Sequence, residues 1–272
     1  MNPTDERFNE GAPAYAAYLE TVEGRLRLDI AWSHLREVLH ETGLQAATPA
    51  AVAVEVMPRA LDLGGGTGAF AVRLAQAGWR VAVVDASKAM LELAARSGEA
   101  AGVGAQLTFP RSDAASALAL FPAQTFAVAV CHNVLEYVDD PAATVQAISS
   151  LLRPRGLVSL VARNRAGEAM RAVLKAHDLD LAARMLDAND ATESLYGGPA
   201  RLFDAASLTD LVQQASLRVV AARGVRVFAD YLPAALSATD EGYAALLHTE
   251  CHFGARPDFA AIARYTQLIA RT

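Results

Sequence analysis

Apolar residues recur along this chain in two rhythms. Near the start, in LRLDIAWSHLREVLHETG, Leu28, Ala31, Trp32, Leu35 and Leu39 return every three or four positions, which predicts a helix with Gly43 as its stop. Beyond an Ala- and Pro-containing connector the rhythm changes. Short apolar runs alternate with helical stretches: RALDL, then GAFAVRLAQAG, then WRVAVVD, then SKAMLELAARSGEA. The series continues through AQLTF, TFAVAVCH, PAATVQAISSLL and LVSLVAR. Unbroken runs such as VAVV and FAVAV suit parallel strands covered on both faces, so the pattern predicts a βαβα series.

Residues 164–205 break this rhythm with a charged, helical segment ending in ESLYGGPARLFD. It reads as an insertion over one end of the sheet, and its first expected role is a lid. Next come SLTDLVQQA as a helix with Ser207 as N-cap, LRVVAARGVRVFADYL as strand-like, YAALLHTECHF as a helix, and ARYTQLIAR as a closing strand or helix. The expected organisation is a helical cover over residues 1–50 and one α/β domain over 51–272.

Composition narrows the class. Of 272 residues, 53% are apolar and 20% charged, which indicates an ordered globular chain. No apolar run is long enough to span a membrane, and the opening MNPTDERFNEG lacks the basic-then-apolar layout of a secretion signal, so a cytoplasmic protein with no membrane partner is expected. Cys131 and Cys251 are too few for a disulfide framework. The net charge of −6 gives no global pull toward nucleic acid. Residues 151–185 depart from that balance, carrying Arg153, Arg155, Arg163, Arg165, Arg171, Lys175 and Arg184 against Glu168, Asp178 and Asp180.

The candidate chemistry centres on LDLGGGTG, residues 61–68, a glycine loop joining a strand to a helix. Such loops lie at the carboxyl edge of an open α/β sheet, where ligands bind. No Lys-Ser or Lys-Thr pair follows the glycines, which argues against a nucleoside triphosphate. Gly64, Gly66 and Ala69 satisfy GxGxxA, and Asp85 ends the next strand, so a nicotinamide dinucleotide and an NAD(P)-dependent oxidoreductase stay open. A carboxylate at Asp85 is suited to a ribose diol, since its two oxygens accept from adjacent hydroxyls. Its alternative role is capping the helix from Ser87. His248 and His252 fall one helical turn apart, but HTECH lacks the glutamate placement of HExxH, and no metal is expected.

With Asp62 added, the series Asp62, Gly64, Gly66 and Gly68 resembles the first motif of class I S-adenosylmethionine (SAM)-dependent methyltransferases. That resemblance implies a Rossmann-like, doubly wound seven-stranded sheet with SAM as cofactor. RSDAA resembles the adenine-binding segment, which implies roles for Asp113 and Ala114. CHNVLEYVDDP resembles the fourth motif, with His132 facing SAM. Almost end to end the chain looks like one branch, the tRNA 5-carboxymethoxyuridine methyltransferases, on EGRLRLDIAW, HNVLEYVDDP, GVRVFADYL, YAALLHTE and ARYTQLIAR. The match implies Arg27 at the SAM carboxylate, Gly64 and Gly65 along the loop, Asp85 at the ribose, Ala86 among the cofactor-binding residues, and His132 flanking the cofactor. Two departures stand out: Arg155 replaces a usual glycine, and the branch's lysine cluster is replaced by AARMLDANDATESLYGGPARLFD.

Methyl transfer is an in-line displacement, so alignment and exclusion of water are the protein's main tasks. A carboxylate acceptor is already ionised near neutral pH and needs no base, and besides His132 the sequence offers no evident one. Arg226, Arg201, Tyr196 and Tyr231 are the candidate donors to such an acceptor. The acceptor expected from the resemblance is a carboxylate on a modified wobble uridine of tRNA. The alternatives are a small-molecule acid, phenol or amine, or a silent module that keeps SAM for structure.

Overall fold

Residues 3–41 form two helices, α1 (Pro3–Glu20) and α2 (Val22–Glu41), separated at Thr21, whose hydroxyl caps α2 by accepting from Gly24 N at 3.1 Å. The computed structural model describes residues 3–46, 53–192, 195 and 197–272. α2 ends as its sequence predicts: Gly43 adopts φ +67° and Leu44 N bonds back to Leu39 O at 3.0 Å.

The strands are β1 (Arg59–Leu63), β2 (Arg80–Val84), β3 (Leu107–Thr108), β4 (Phe126–His132), β5 (Leu152–Arg163), β8 (Arg218–Val225) and β9 (Tyr265–Arg271). They build one seven-stranded sheet in the order β3-β2-β1-β4-β5-β9-β8, with β9 antiparallel to both neighbours and the rest parallel. The order reverses between β1 and β4, which opens a crevice at the carboxyl edge there. Alternate residues feed two apolar layers. One gathers Val81, Val83, Ile30, Leu35, Phe70 and Leu74 beneath α2 and α3 (Ala69–Gln76). The other gathers Leu61, Leu63, Val145, Ile148, Leu208 and Val212 beneath α5 (Pro141–Leu151) and α8 (Ala205–Gln214).

The segment between β5 and α8 is only partly the helical insertion expected. It holds α6 (Arg165–Leu174) and α7 (Leu179–Asp187), then a small antiparallel pair, β6 (Asp190–Thr192) with β7 (Pro199–Arg201). The cap of α8 also differs from expectation. Asp204 is the N-cap, accepting from Ser207 N at 2.8 Å, while the Ser207 hydroxyl accepts from Asp204 N at 3.0 Å. The capping box places Asp at the cap and Ser three residues in, because the helix starts earlier than its apolar pattern does. AQLTF, expected as a full strand, contributes only Leu107–Thr108. Arg155, at the usual glycine position, takes φ +65° within β5, a left-handed conformation that glycine adopts without strain.

Several shared motif segments meet each other. Asp29 of α2 pairs with Arg73 of α3 and accepts from Tyr243 OH of α9 (Asp240–Gly254) at 2.6 Å. Glu250, fully buried on α9, accepts from the backbone amides of Val227, Phe228 and Ala229 at 2.5, 2.9 and 2.7 Å. The loop GVRVFADYL is therefore moulded by the carboxylate that ends YAALLHTE.

Gly24 lets α2 start against the end of α1: a Cβ there would stand 2.1 Å from the Tyr18 carbonyl oxygen. Gly24→Ala is expected to lose roughly 1–3 kcal/mol in urea unfolding through overpacking. An unchanged midpoint would show that the two helices are free to separate.

Candidate functional site

A cavity of about 630 Å³ opens at the carboxyl edge of the sheet, and a smaller recess adjoins it between α2 and the glycine loop. Arg27, Tyr15, Gly64, His132 and Asn133 line both. The loop has the shape its glycines predict. Gly64 and Gly66 take φ +67° and +53°, and a Cβ on Gly65 would stand 3.0 Å from the Asp62 carboxylate and 2.6 Å from Val83. Gly64 and Gly66 line the large cavity, and Gly64 and Gly65 the recess. Gly68 does neither. It starts α3 at φ +74° and lets that helix approach Ala94, which a Cβ would meet at 2.8 Å.

Asp62 lies beneath the loop, 3% exposed, with Oδ2 buried and without a hydrogen-bond partner. Burial, with Asp85 adding to it, pushes its carboxyl from 3.8 up to about 7 against a backbone bond from Ala71. A buried carboxylate oxygen with no donor, facing a glycine-cradled recess, fits a cationic ligand group.

Asp85 lines the cavity at the end of β2. Its Oδ2 accepts from Gly66 N at 2.9 Å and its Oδ1 from Ser87 N at 2.8 Å. The helix cap itself is the Ser87 hydroxyl, which accepts from Met90 N. The two amides fix the carboxylate at the cavity wall, and each oxygen has lone-pair capacity for a hydroxyl. Ala86, Asp113 and Ala114 line the same wall. Asp113 is exposed and accepts from Ser116 N and Oγ at 2.7 and 3.2 Å.

His132 ends β4, edge-on to Phe70 at 4.5 Å. A buried chain of bonds runs to it from α2. His34 Nδ1 meets Gln267 Oε1 at 3.0 Å, Gln267 Nε2 donates to Ser159 Oγ at 3.0 Å, and Ser159 Oγ lies 2.9 Å from His132 Nε2. Burial first, and the Arg27 guanidinium second, push the imidazole down to about 3. His132 is neutral at physiological pH and a poor base.

Tyr15, Asn133 and Glu136, which carry no role in the sequence analysis, join Arg27 to complete the recess. Arg27, buried in mid-α2, donates to Asn133 Oδ1 at 2.7 Å and Tyr15 OH at 2.6 Å. Asn133, at φ +56°, is oriented by donating Nδ2 to Glu136 Oε1 at 2.9 Å. Both Asn133 and Glu136 belong to HNVLEYVDDP. Tyr265 at the start of β9 lies within 5.9 Å of the Arg27, Arg226 and Arg264 guanidiniums.

The acceptor-side candidates fare unequally. Arg226, buried at φ +62°, donates to Tyr18 OH at 2.9 Å, pairs with Asp230 and lines the cavity. Tyr231 is half-buried and is not part of the described lining. Arg201 is also absent from that lining, because its guanidinium turns to Val138 O at 3.1 Å. Tyr196 lies outside the described residues. Arg163, Arg171 and Lys175 of the basic run at 151–185 line the cavity together with Arg264. His248 and His252 stack ring on ring at 6.5 Å, and among the described residues no three His, Cys, Asp or Glu gather as a metal site. No helix among those residues is long and apolar enough to cross a membrane.

Sheet order, switch-point cavity, glycine cradle and a carboxylate at the end of β2 define a SAM-dependent methyltransferase of the class I fold. Known proteins agree. The family model "Methyltransferase domain" matches residues 31–222, and the chain belongs to that family. It is 31% identical over 268 residues to the tRNA 5-carboxymethoxyuridine methyltransferase of Escherichia coli strain K12, covering 98% of this chain and 96% of the relative. A ubiquinone biosynthesis O-methyltransferase of Ralstonia nicotianae is 36% identical over 108 residues, 39% of this chain and 44% of the relative. Among solved structures, a SAM-dependent methyltransferase of Thermotoga maritima, described as a possible histamine N-methyltransferase, superposes with TM-score 0.61 at 16% identity over 98% of this chain and 99% of that one. Family membership decides the cofactor class that GxGxxA left open.

Asp62 gives a test of the recess. Its folded-state pKa lies above the unfolded value, so its contribution to stability is full below about pH 4 and lost as pH rises through about 7. Ligand-free Asp62→Asn is therefore expected to exceed wild type in stability at about pH 8, by at most about 4 kcal/mol, with the gap closing toward about pH 4. Urea unfolding across that range checks it, and a pH-independent difference would contradict the assignment.

Proposed function

We propose that the chain transfers the methyl group of SAM to the carboxylate of a carboxymethoxyuridine at the wobble position of tRNA. The observation that carries a carboxylate acceptor is the inner cationic wall of the cavity, where Arg163, Arg226 and Arg264 converge from β5 and the two turns beside β9. The end-to-end likeness to the tRNA enzyme supports the wobble nucleoside. The net charge of −6 favours a second reading, a small-molecule acid in the same pocket.

In this reading Arg27 holds the carboxylate of the cofactor's methionine part, Asp62 faces its ammonium, and Gly64 and Gly65 let the backbone come close. Asp85 takes the ribose hydroxyls, with Ala86, Asp113 and Ala114 along the adenine. Bound SAM supplies a methyl group on a sulfonium that is displaced in line. The protein's task is to hold the acceptor carboxylate opposite that methyl and keep water out. An ionised carboxylate gives up no proton, so the neutral His132 serves as a wall rather than a base. We assign residues 164–205 the role of a cover over the acceptor side, because Arg171, Lys175 and Leu195 from this segment line the cavity. The cover at 1–50 contributes Tyr15, Tyr18 and Arg27 to the site of the main domain.

Two measurements test the reading. Asp85→Ala is expected to weaken SAM binding in calorimetry by roughly tenfold or more, the loss of hydrogen bonds to a charged acceptor; unchanged affinity would remove Asp85 from the ribose. Labelled SAM is expected to methylate tRNA bearing 5-carboxymethoxyuridine in preference to a panel of small acids. Transfer to a small acid alone would favour the second reading.

A further inference from the structure

The cations of the acceptor wall are not equivalent. Arg163 and Arg264 both pair with Glu168, and Arg226 pairs with Asp230, which Arg264 also approaches at 3.7 Å. Arg163 and Arg226 are buried and Arg264 is nearly so, and the charge of all three is largely answered by the protein's own carboxylates. Arg171 and Lys175, one turn apart on α6 and its C-cap, differ: neither forms an ion pair among the described residues. Arg171 is half-buried and Lys175 exposed, so they stand where the cavity opens to solvent. Like charges four residues apart on a helix repel, so the pair is a standing cost unless an anion joins it. α6 itself is held firmly. A Cβ on Gly167 would stand 2.3 Å from Ala263 O, and Asn164 at its cap donates to Ala261 O and Ala263 O at 2.9 and 2.8 Å.

The reaction indicates which anion. Arg163, Arg226 and Arg264 already offer partly neutralised charge to the reacting carboxylate, and a further full cation clamped on it would only stabilise the nucleophile in its ground state and lose its partner once the ester forms. Cations at the mouth are better used on a charge that does not change during turnover, since such binding holds the acceptor equally before and during transfer. We propose that Arg171 and Lys175 bind a non-reacting phosphate group of the acceptor, so that the enzyme selects a phosphorylated acid over the same acid without phosphate. This rests on the carboxylate-acceptor reading above. A phosphate suits the pair, offering several acceptor oxygens to one planar fork and one point charge. The phosphate belongs either to the tRNA backbone beside the wobble base or to a small phosphorylated acid.

The test compares wild type with Arg171→Gln, Lys175→Gln and the double variant, with Arg171→Lys as the conservative control. The acceptors are tRNA bearing 5-carboxymethoxyuridine, the free nucleoside, and its 5′-monophosphate. For the double variant, KM for the phosphate-bearing acceptors is expected to rise roughly tenfold or more, whereas KM for the nucleoside moves less than about twofold. Arg171→Lys should recover part of the loss. The wild-type salt dependence of KM should flatten in the double variant, since two phosphate contacts are gone. A rise confined to tRNA names the nucleic-acid backbone as source, and a rise shared by the monophosphate names the nucleotide's own phosphate. An equal rise for the nucleoside, a fall in kcat instead of a rise in KM, or a lowered melting temperature with unchanged KM would overturn the proposal; the last would leave the pair as helix C-terminal charges only. Should wild type methylate none of the three, the carboxymethoxyuridine reading fails by itself. The α6 pair is then judged by calorimetry with uridine 5′-monophosphate against uridine: binding of the monophosphate alone, lost in the double variant, sustains it, and equal or absent binding ends it.

Discussion

Four arginines converge on one buried phenol, and most of the site depends on how that concentration of charge is held. Tyr265 would be raised by its burial, yet Arg264, Arg226, Arg27 and Arg163 together pull it down to about 8. Tyr18, half-buried, moves the other way, up to about 12, mainly through desolvation. The phenols and the carboxylates of Glu168 and Asp230 answer guanidiniums that would otherwise be uncompensated, and removing one partner of a buried pair costs about 3–5 kcal/mol. The network also crosses the molecule. Arg226 follows β8 and bonds Tyr18 of α1, while Arg27 of α2 bonds Tyr15 of α1 and Asn133 after β4. The helical cover and the sheet thus share one set of charges, and the recess exists where they meet.

The sheet divides that charge by strand order. Asp85, Asp113, Asp139 and Asp140 approach the cavity from the ends of β2, β3 and β4, whereas Arg163, Arg226 and Arg264 approach from β5, β8 and β9. Hydroxyl-rich and cationic groups suit the first side and anionic groups the second. A methyltransferase needs both, a place for a nucleoside carrying an ammonium and a place for what receives the methyl. His132 sits between them, held neutral by burial and fixed by the chain from His34 through Gln267 and Ser159.

The sequence made the cofactor side far more legible than the acceptor side, and locality explains the difference. Strand-loop-helix order, the glycines of LDLGGGTG and the acid ending WRVAVVD lie in one contiguous stretch, and each has a backbone reason readable from its neighbours. Even there, Gly68 answers to the packing of Ala94, 26 positions on, which spacing alone does not show. The acceptor side and the deep end of the recess are assembled from distant segments. The Arg226–Tyr18 bond spans 208 positions and the Arg27–Asn133 bond 106. No periodicity links such residues, so Tyr15 and Tyr18 carry no signal in the sequence, and Arg201, plausible by type, turns to Val138 O. The basic run at 151–185 was legible as charge, while its direction required the packing of α6 against the turn before β9.

The central claim is that the recess between α2 and the glycine loop is the SAM site, completed by Arg27 and Asp62. A structure with bound S-adenosylhomocysteine tests it most directly. The account predicts the homocysteine carboxylate at the Arg27 guanidinium, its ammonium at the otherwise unpartnered Oδ2 of Asp62, and the ribose hydroxyls on Asp85. A ligand whose amino-acid end points away from Arg27 and Asp62, or whose ribose does not touch Asp85, would contradict it.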